Sequence, residues 1–235
     1  MFDFDPPRRA SRPLPADGIR AVSRSGPFGT RWWANRVYGI IENELSGFVK
    51  IAGKNYARRG QVLWFAANKG KVSAQIQGST SQPYRCTIEF HEVPADLLEK
   101  YFVTHIDQYS TVLSKGLTEE VFQGLQDAGI DLCETPFLKS CSCDCPEWDT
   151  YCKHAAAVLY LLIEHLDKKV LDLFKIRGID LKKLFSSDDK AVDINDIDFI
   201  NMWESRPELT LRSAFGPESA EAMEWLRQVY AKLTN

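Results

Sequence analysis

Residues 141–154 read CSCDCPEWDTYCKH, and residues 155–166 continue as AAAVLYLLIEHL, a run that is apolar on most faces. Within the first stretch, Cys143-x-Cys145-x6-Cys152-x-His154 places four soft ligands in twelve residues, a set suited to one tetrahedral divalent ion, with zinc the best fit. Two cysteines separated by one residue can put both sulfurs on the same side of an extended turn. The Cys-x-His pair then opens the apolar helix, where unpaired backbone N–H groups and the helix dipole favour thiolate over thiol.

The other readings of these cysteines are weaker. Six cysteines in 235 residues is not a disulfide-dense composition, and buried thiols have no reason to cluster at ligand spacing with a histidine. The start of the chain, MFDFDPPRRASRPLP, has no apolar signal-peptide core, and no stretch reaches membrane-spanning length. The expectation is a cytoplasmic protein with reduced thiols and no membrane partner. His91, His105 and His165 lack cysteine company and read as surface or satisfied histidines. His165 lies eleven residues beyond His154, about three helical turns, too far to share an ion.

The string CDCPEWDTYCKHAAAVLYLL resembles a SWIM zinc finger, whose pattern is Cys-x-Cys-x(n)-Cys-x-His. The likeness to the bacterial SWIM zinc finger family extends upstream to FGTRWWANR (28–36), NYARRGQV (55–62) and QGSTSQPYRCTIEF (77–90), and spans about residues 28–185. Cys141 is an extra cysteine, so Cys141 and Cys143 offer an alternative first pair. The placement of Pro146 and Trp148 favours Cys143 and Cys145, with Cys141 a neighbour or substitute ligand. The resemblance implies binding of DNA, of protein, or of both, and a Swi/Snf-type helicase as companion.

Composition is that of a globular protein, 44% hydrophobic with a net charge of −3, which argues against a uniformly basic nucleic-acid binder. The charge is divided unevenly. Residues 1–85 hold 14 Lys/Arg against 5 Asp/Glu, and residues 86–235 hold 15 against 27. Such asymmetry suggests different partners for the two ends or mutual attraction.

Four regions are expected. Residues 1–27, with five prolines among arginines, read as a flexible basic arm, and 28–135 as an N-terminal α+β region. Residues 136–185 hold the zinc finger and following helices; 186–235 form an acidic helical segment suited to protein docking. Within the second region, Thr30 is a candidate N-cap for a helix whose stripe is Trp33, Val37, Ile40, Ile41 and Leu45. Residues 61–67 and 71–77 flank Asn68-Lys69-Gly70 as a hairpin, and 84–90 alternate as a half-buried strand. Short helices are expected over 94–104 and 118–127, and another from Pro217 through Leu233. The fold class is α+β, a small antiparallel sheet flanked by helices with a structural zinc site.

No catalytic motif is present. Gly47 to Asn55 has one residue too many between its glycines for a phosphate-binding loop, and Asn55 stands where Ser or Thr would hold magnesium. Zinc held by three cysteines and a histidine has no open position to activate water, so a structural role is expected. The chain therefore reads as a binding module and not an enzyme. Arg31, Arg36, Lys50, Lys54, Arg58 and Arg59 are candidates for phosphate contacts, with Trp32 or Tyr56 stacking on bases. The alternative is a protein-interaction scaffold that never touches nucleic acid.

Overall fold

The computed structural model describes residues 12–147 and 150–184. The elements run α1 (Trp32–Glu44), α2 (Gly47–Arg59), β1 (Val62–Asn68), β2 (Lys71–Ile76), β3 (Tyr84–Phe90), α3 (Ala95–Thr104), α4 (Ile106–Lys115), α5 (Glu119–Asp127), β4 (Leu138–Cys143), α6 (Lys153–Lys168) and α7 (Leu171–Ile176), then a short 3-10 turn, Leu181–Lys183. The expected hairpin, the third strand and both short helices form within a residue or so of their expected bounds. The helix expected at Pro217–Leu233 and the acidic segment lie outside the described residues.

Two compact units divide the described chain. The larger takes residues 12–93 and 132–179, the smaller 94–131 and 180–184. The smaller holds α3, α4 and α5. Thr118 caps α5, its hydroxyl accepting from the Val121 N–H at 3.2 Å, and Tyr109 donates its hydroxyl to the Leu181 carbonyl at 2.7 Å.

In the larger unit the sheet is antiparallel throughout, in the order β1-β2-β3-β4. Alternation of side chains gives β3 an inner face of Tyr84, Cys86, Ile88 and Phe90, all buried. Against this face lies α6. Residues 154–163 are buried without interruption because α6 meets α1 and α2 as well as β1, β3 and β4. Its approach to α2 depends on small residues: Gly53 of α2 faces Ala156 and Ala157. Gly60 ends α2 in the left-handed conformation (φ 75°), which glycine adopts without steric cost, and turns the chain into β1.

Two expectations change here. Thr30 does not cap α1; Arg31 holds that position, while the Thr30 hydroxyl and N–H both donate to Asp167 of α6. The described part of the basic arm is tied down. Gly18 N–H donates to the Gly60 carbonyl, Ile19 to Val62 and Ala21 to Ala57, and the Val22 and Ser23 N–H groups share the Glu164 carboxylate. Proline-rich sequence has little periodicity to read, yet its backbone N–H groups still need acceptors, and α2, β1 and α6 supply them.

Candidate metal centre

The site is assembled where β4 leaves the sheet and α6 begins. Antiparallel pairing sets Cys143 opposite Cys86 and Cys141 opposite Ile88. The strand ends at Cys143, and a reciprocal pair pins that end: Arg85 N–H donates to the Asp144 carboxylate at 2.8 Å, and Asp144 N–H to the Arg85 carbonyl at 3.2 Å. A bend then carries Cys145. Cys141 and Cys143 are thus strand residues, where an extended turn was expected for the cysteine pairs. Cys152 is the N-cap of α6, its sulfur accepting from the Ala155 N–H at 3.5 Å, as the helix-start reading requires. Glu147 closes the loop, accepting from the Lys153 backbone N–H and pairing with its ammonium.

One ligand atom each from Cys143, Cys145, Cys152 and His154 lies within 4.8 Å of the others. A tetrahedral zinc with bonds of about 2.3 Å to sulfur and 2.0–2.1 Å to nitrogen would set its ligand atoms about 3.6–3.8 Å apart. Cys152 Sγ and His154 Nδ1 are already 3.7 Å apart. The imidazole is held by packing: Tyr84 lies 4.8 Å from it and Tyr56 meets it edge-on at 5.3 Å. Its Nε2 is buried with no hydrogen-bond partner among the described residues. The three sulfurs open onto a cavity of about 270 Å³, whose wall also includes Cys141, Glu147 and Thr150.

The thiols are electrostatically linked. Hydrogen bonds from Cys152 and then Cys86 hold the Cys143 thiol far below its ordinary value. Donation to Cys143, followed by burial, pushes Cys152 up, and burial pushes Cys145 up to about 11. Three thiolates this close repel one another, and a divalent cation is what allows them to ionise together. The donor set, the spacing and the closed loop all fit such an ion.

The candidate phosphate-binding residues are placed differently. Lys54 points inward, donating to Glu42 and Tyr38 at 2.9 Å each. Arg58 clamps the N-terminal segment, donating to the Ser23 and Gly26 carbonyls and lying 4.9 Å over the Phe28 ring. Both serve the fold because α2 presents them to neighbouring chain. Arg31 lies 5.2 Å over Trp33; Arg36 and Arg59 are exposed and Lys50 half-buried. Tyr56, a candidate for base stacking, is buried against His154, whereas Trp32 is half-buried. Gly47–Asn55, rejected as a phosphate loop, is helical. His165 is satisfied by Asp172 at 2.5 Å.

Sequence reading missed three contributors to the site. Cys86 looked like an ordinary inward strand residue, and only the β3–β4 register brings it beside Cys143. Tyr84 and Gly78 shape the histidine pocket: a Cβ on Gly78 would overlap the Tyr84 ring and lie 3.3 Å from His154 Nε2.

No helix among the described residues is long and apolar enough to cross a membrane. The SWIM zinc finger family pattern matches residues 137–163, which contain all four ligand candidates. No solved structure matches the chain. An uncharacterised protein of Mycobacterium tuberculosis, Rv2102, is 32% identical over 194 residues, covering 78% of this chain and 67% of that protein. With the finger, its ligand spacing and this kinship over two thirds or more of each chain in agreement, the chain belongs to the bacterial SWIM zinc finger family.

Proposed function

We propose that the protein is a zinc-stabilised binding module whose partner is a protein, a Swi/Snf-type helicase in the first instance, with nucleic acid as a secondary contact. The observation that carries this reading is on α2. Phe48 and Ile51 are 69% and 67% exposed, one turn apart on the helix whose opposite face packs on α6. Exposed aromatic and aliphatic pairs beside a rigid core are the usual anchors of protein recognition. The basic residues support a smaller electrostatic share, since Lys54 and Arg58 make internal bonds, while Arg31, Arg36 and Arg59 are exposed.

Zinc is the metal we assign, because three thiolates and one imidazole in tetrahedral spacing are its preferred structural set. It would be held by Cys143, Cys145, Cys152 and His154 and would lock the end of β4 to the start of α6. With four protein ligands it has no open position for chemistry, which supports a non-enzymatic role.

The test is capture from the native host with wild-type protein and with a Phe48→Ser/Ile51→Ser variant. A helicase retained by the first and lost by the second supports the reading. Equal retention by both removes the α2 face from it. Titration with DNA and RNA at low salt, comparing Arg36→Ala/Arg59→Ala with wild type, measures the nucleic-acid share: each lost phosphate contact should flatten the salt slope by about one unit. No binding at low salt, alone or with the captured partner, leaves the protein-only reading.

A further inference from the structure

The order β1-β2-β3-β4 leaves the sheet with two edge strands, and they are built differently. Strand β4, LKSCSC, is polar and carries Lys139, the kind of edge that resists pairing with another sheet. Strand β1, VLWFAAN, has no charge and no proline, and every residue before Asn68 is apolar. Trp64 is 43% exposed and Ala66 is exposed, while Leu63, Phe65 and Ala67 are half-buried. Among the described residues only Ile19 meets the free side of β1, where its N–H donates to the Val62 carbonyl at 2.7 Å. From Leu63 to Asn68, the backbone N–H and C=O groups that point away from β2 have no partner among the described residues. Such an edge is a template for another strand.

We propose that β1 pairs with β1 of a second copy of this chain, antiparallel about a twofold axis at Phe65, joining the two sheets into one. Ile19 closes the edge at Val62 and the turn begins after Asn68, so the free stretch is centred near Phe65. In this register Leu63 of one copy stands opposite Ala67 of the other, and Trp64 stands opposite Ala66. Directly opposed residues share a face of the sheet, so each large side chain has a small one beside it on both faces. The ends match in charge. Continuing the register sets residue 69 opposite residue 61 of the other copy. There Gly18 N–H is bonded to the Gly60 carbonyl at 2.9 Å, and the side chain of the adjacent Asp17 is 99% exposed. Lys69 is exposed too, so Lys69 of each copy meets Asp17 of the other, twice by symmetry. A second copy fits this edge because β1 is complementary to itself in size along its length and in sign at its ends. The surface uses neither Phe48 nor Ile51 and stands apart from the α2 face.

Sedimentation velocity of the full-length protein under reducing conditions, from low to high micromolar concentration, tests the pairing. The expected result is a species of twice the 26.7 kDa of one chain. Trp64→Lys/Ala66→Lys sets like charges opposite one another at two exposed positions, and this variant should stay monomeric with an unchanged circular dichroism spectrum. Asp17→Lys places a like charge against Lys69 and should weaken the dimer several-fold, whereas Asp17→Lys/Lys69→Glu should restore it. Both exchanged residues are exposed, so this pair remains decisive should the lysine variant of β1 fold poorly. Wild type that is monomeric at the highest concentration overturns the proposal. A dimer that Trp64→Lys/Ala66→Lys retains as well as wild type places the contact elsewhere and overturns it too. Failure of the exchanged pair to recover the dimer removes the register, and the pairing with it.

Discussion

Gly53 of α2 lies so close to Ala156 of α6 that a Cβ added to it would stand 2.5 Å from the Ala156 methyl and 3.1 Å from its carbonyl carbon. The contact sets the distance between the helix that bears the exposed Phe48 and Ile51 and the helix that begins at the candidate ligands Cys152 and His154. Two backbones packed this tightly have no flexible side chain to give way.

Gly53→Ala should therefore be destabilising although alanine is the better helix former. Overpacking a rigid contact costs about 1–3 kcal/mol, against a gain of roughly 1 kcal/mol in propensity. Gly39, in α1, is the internal control, for a Cβ there meets nothing within 4 Å. Gly39→Ala should raise the midpoint of thermal unfolding and Gly53→Ala should lower it. Opposite movement in either variant would show that α2 and α6 are not held as close as described.

Gly78→Ala tests the histidine pocket. The new methyl must displace the Tyr84 ring, which packs on His154, and it comes within 3.3 Å of Nε2. A tilted imidazole no longer meets the three sulfurs in tetrahedral geometry. Metal affinity should fall about 10–100-fold, the usual cost of disturbing the groups that orient a ligand. A chelator competition assay reads this directly, and an unchanged affinity would mean that Tyr84 and Gly78 do not position the histidine.

The contrast between α6 and α2 shows what the sequence made legible. Helix α6 was readable because its apolar run and its Cys-x-His start are both local signals. Its partner α2 was not, because its buried positions are Val49, Gly53, Tyr56 and Ala57, a stripe built from small residues that hydrophobic periodicity does not register. Strand β4 escaped for a related reason: LKSCSC is polar and half-exposed, and its identity comes from pairing with β3. The ligand spacing was legible in full, but Cys86 enters the neighbourhood only through register, which no window of sequence contains. The basic residues were legible as charges alone. That Lys54 would meet Glu42 and Arg58 would meet backbone carbonyls depends on α1, α2 and the N-terminal segment coming together.

Asp167 gives a prediction in pH. Its burial would raise its pKa, but donation from the Arg31 and Thr30 N–H groups, at 2.7 and 2.9 Å, and from the Thr30 hydroxyl at 3.0 Å outweighs this and holds it below 3.8. A carboxylate depressed in the folded state stabilises above its unfolded value and loses that contribution as pH falls through the folded one. The stability difference between wild type and Asp167→Asn should thus be constant from about pH 7 to 5 and shrink below about pH 4. Metal loss in acid affects both proteins and cancels in the difference. A difference that persists undiminished at about pH 2 would show that the carboxylate charge does not anchor the start of α1.

The register of the metal site can be decided by two substitutions at half-buried cysteines, so that folding does not confuse the result. Cys145 belongs to the group of ligand atoms within 4.8 Å of one another, and Cys141 does not. Cys145→Ser exchanges a thiolate for a hydroxyl that stays protonated and binds zinc poorly, so affinity should fall by more than ~100-fold, beyond what changes outside the ligands cost. Cys141→Ser should hold its metal within a few-fold of wild type. The loss should also reach α6, because Cys152 is both a candidate ligand and the N-cap whose sulfur accepts from Ala155. Amide hydrogen exchange in the first turn of α6 should therefore quicken in Cys145→Ser and in metal-stripped wild type alike, and remain slow in Cys141→Ser. Retained metal in Cys145→Ser with loss in Cys141→Ser would move the first ligand pair to Cys141 and Cys143.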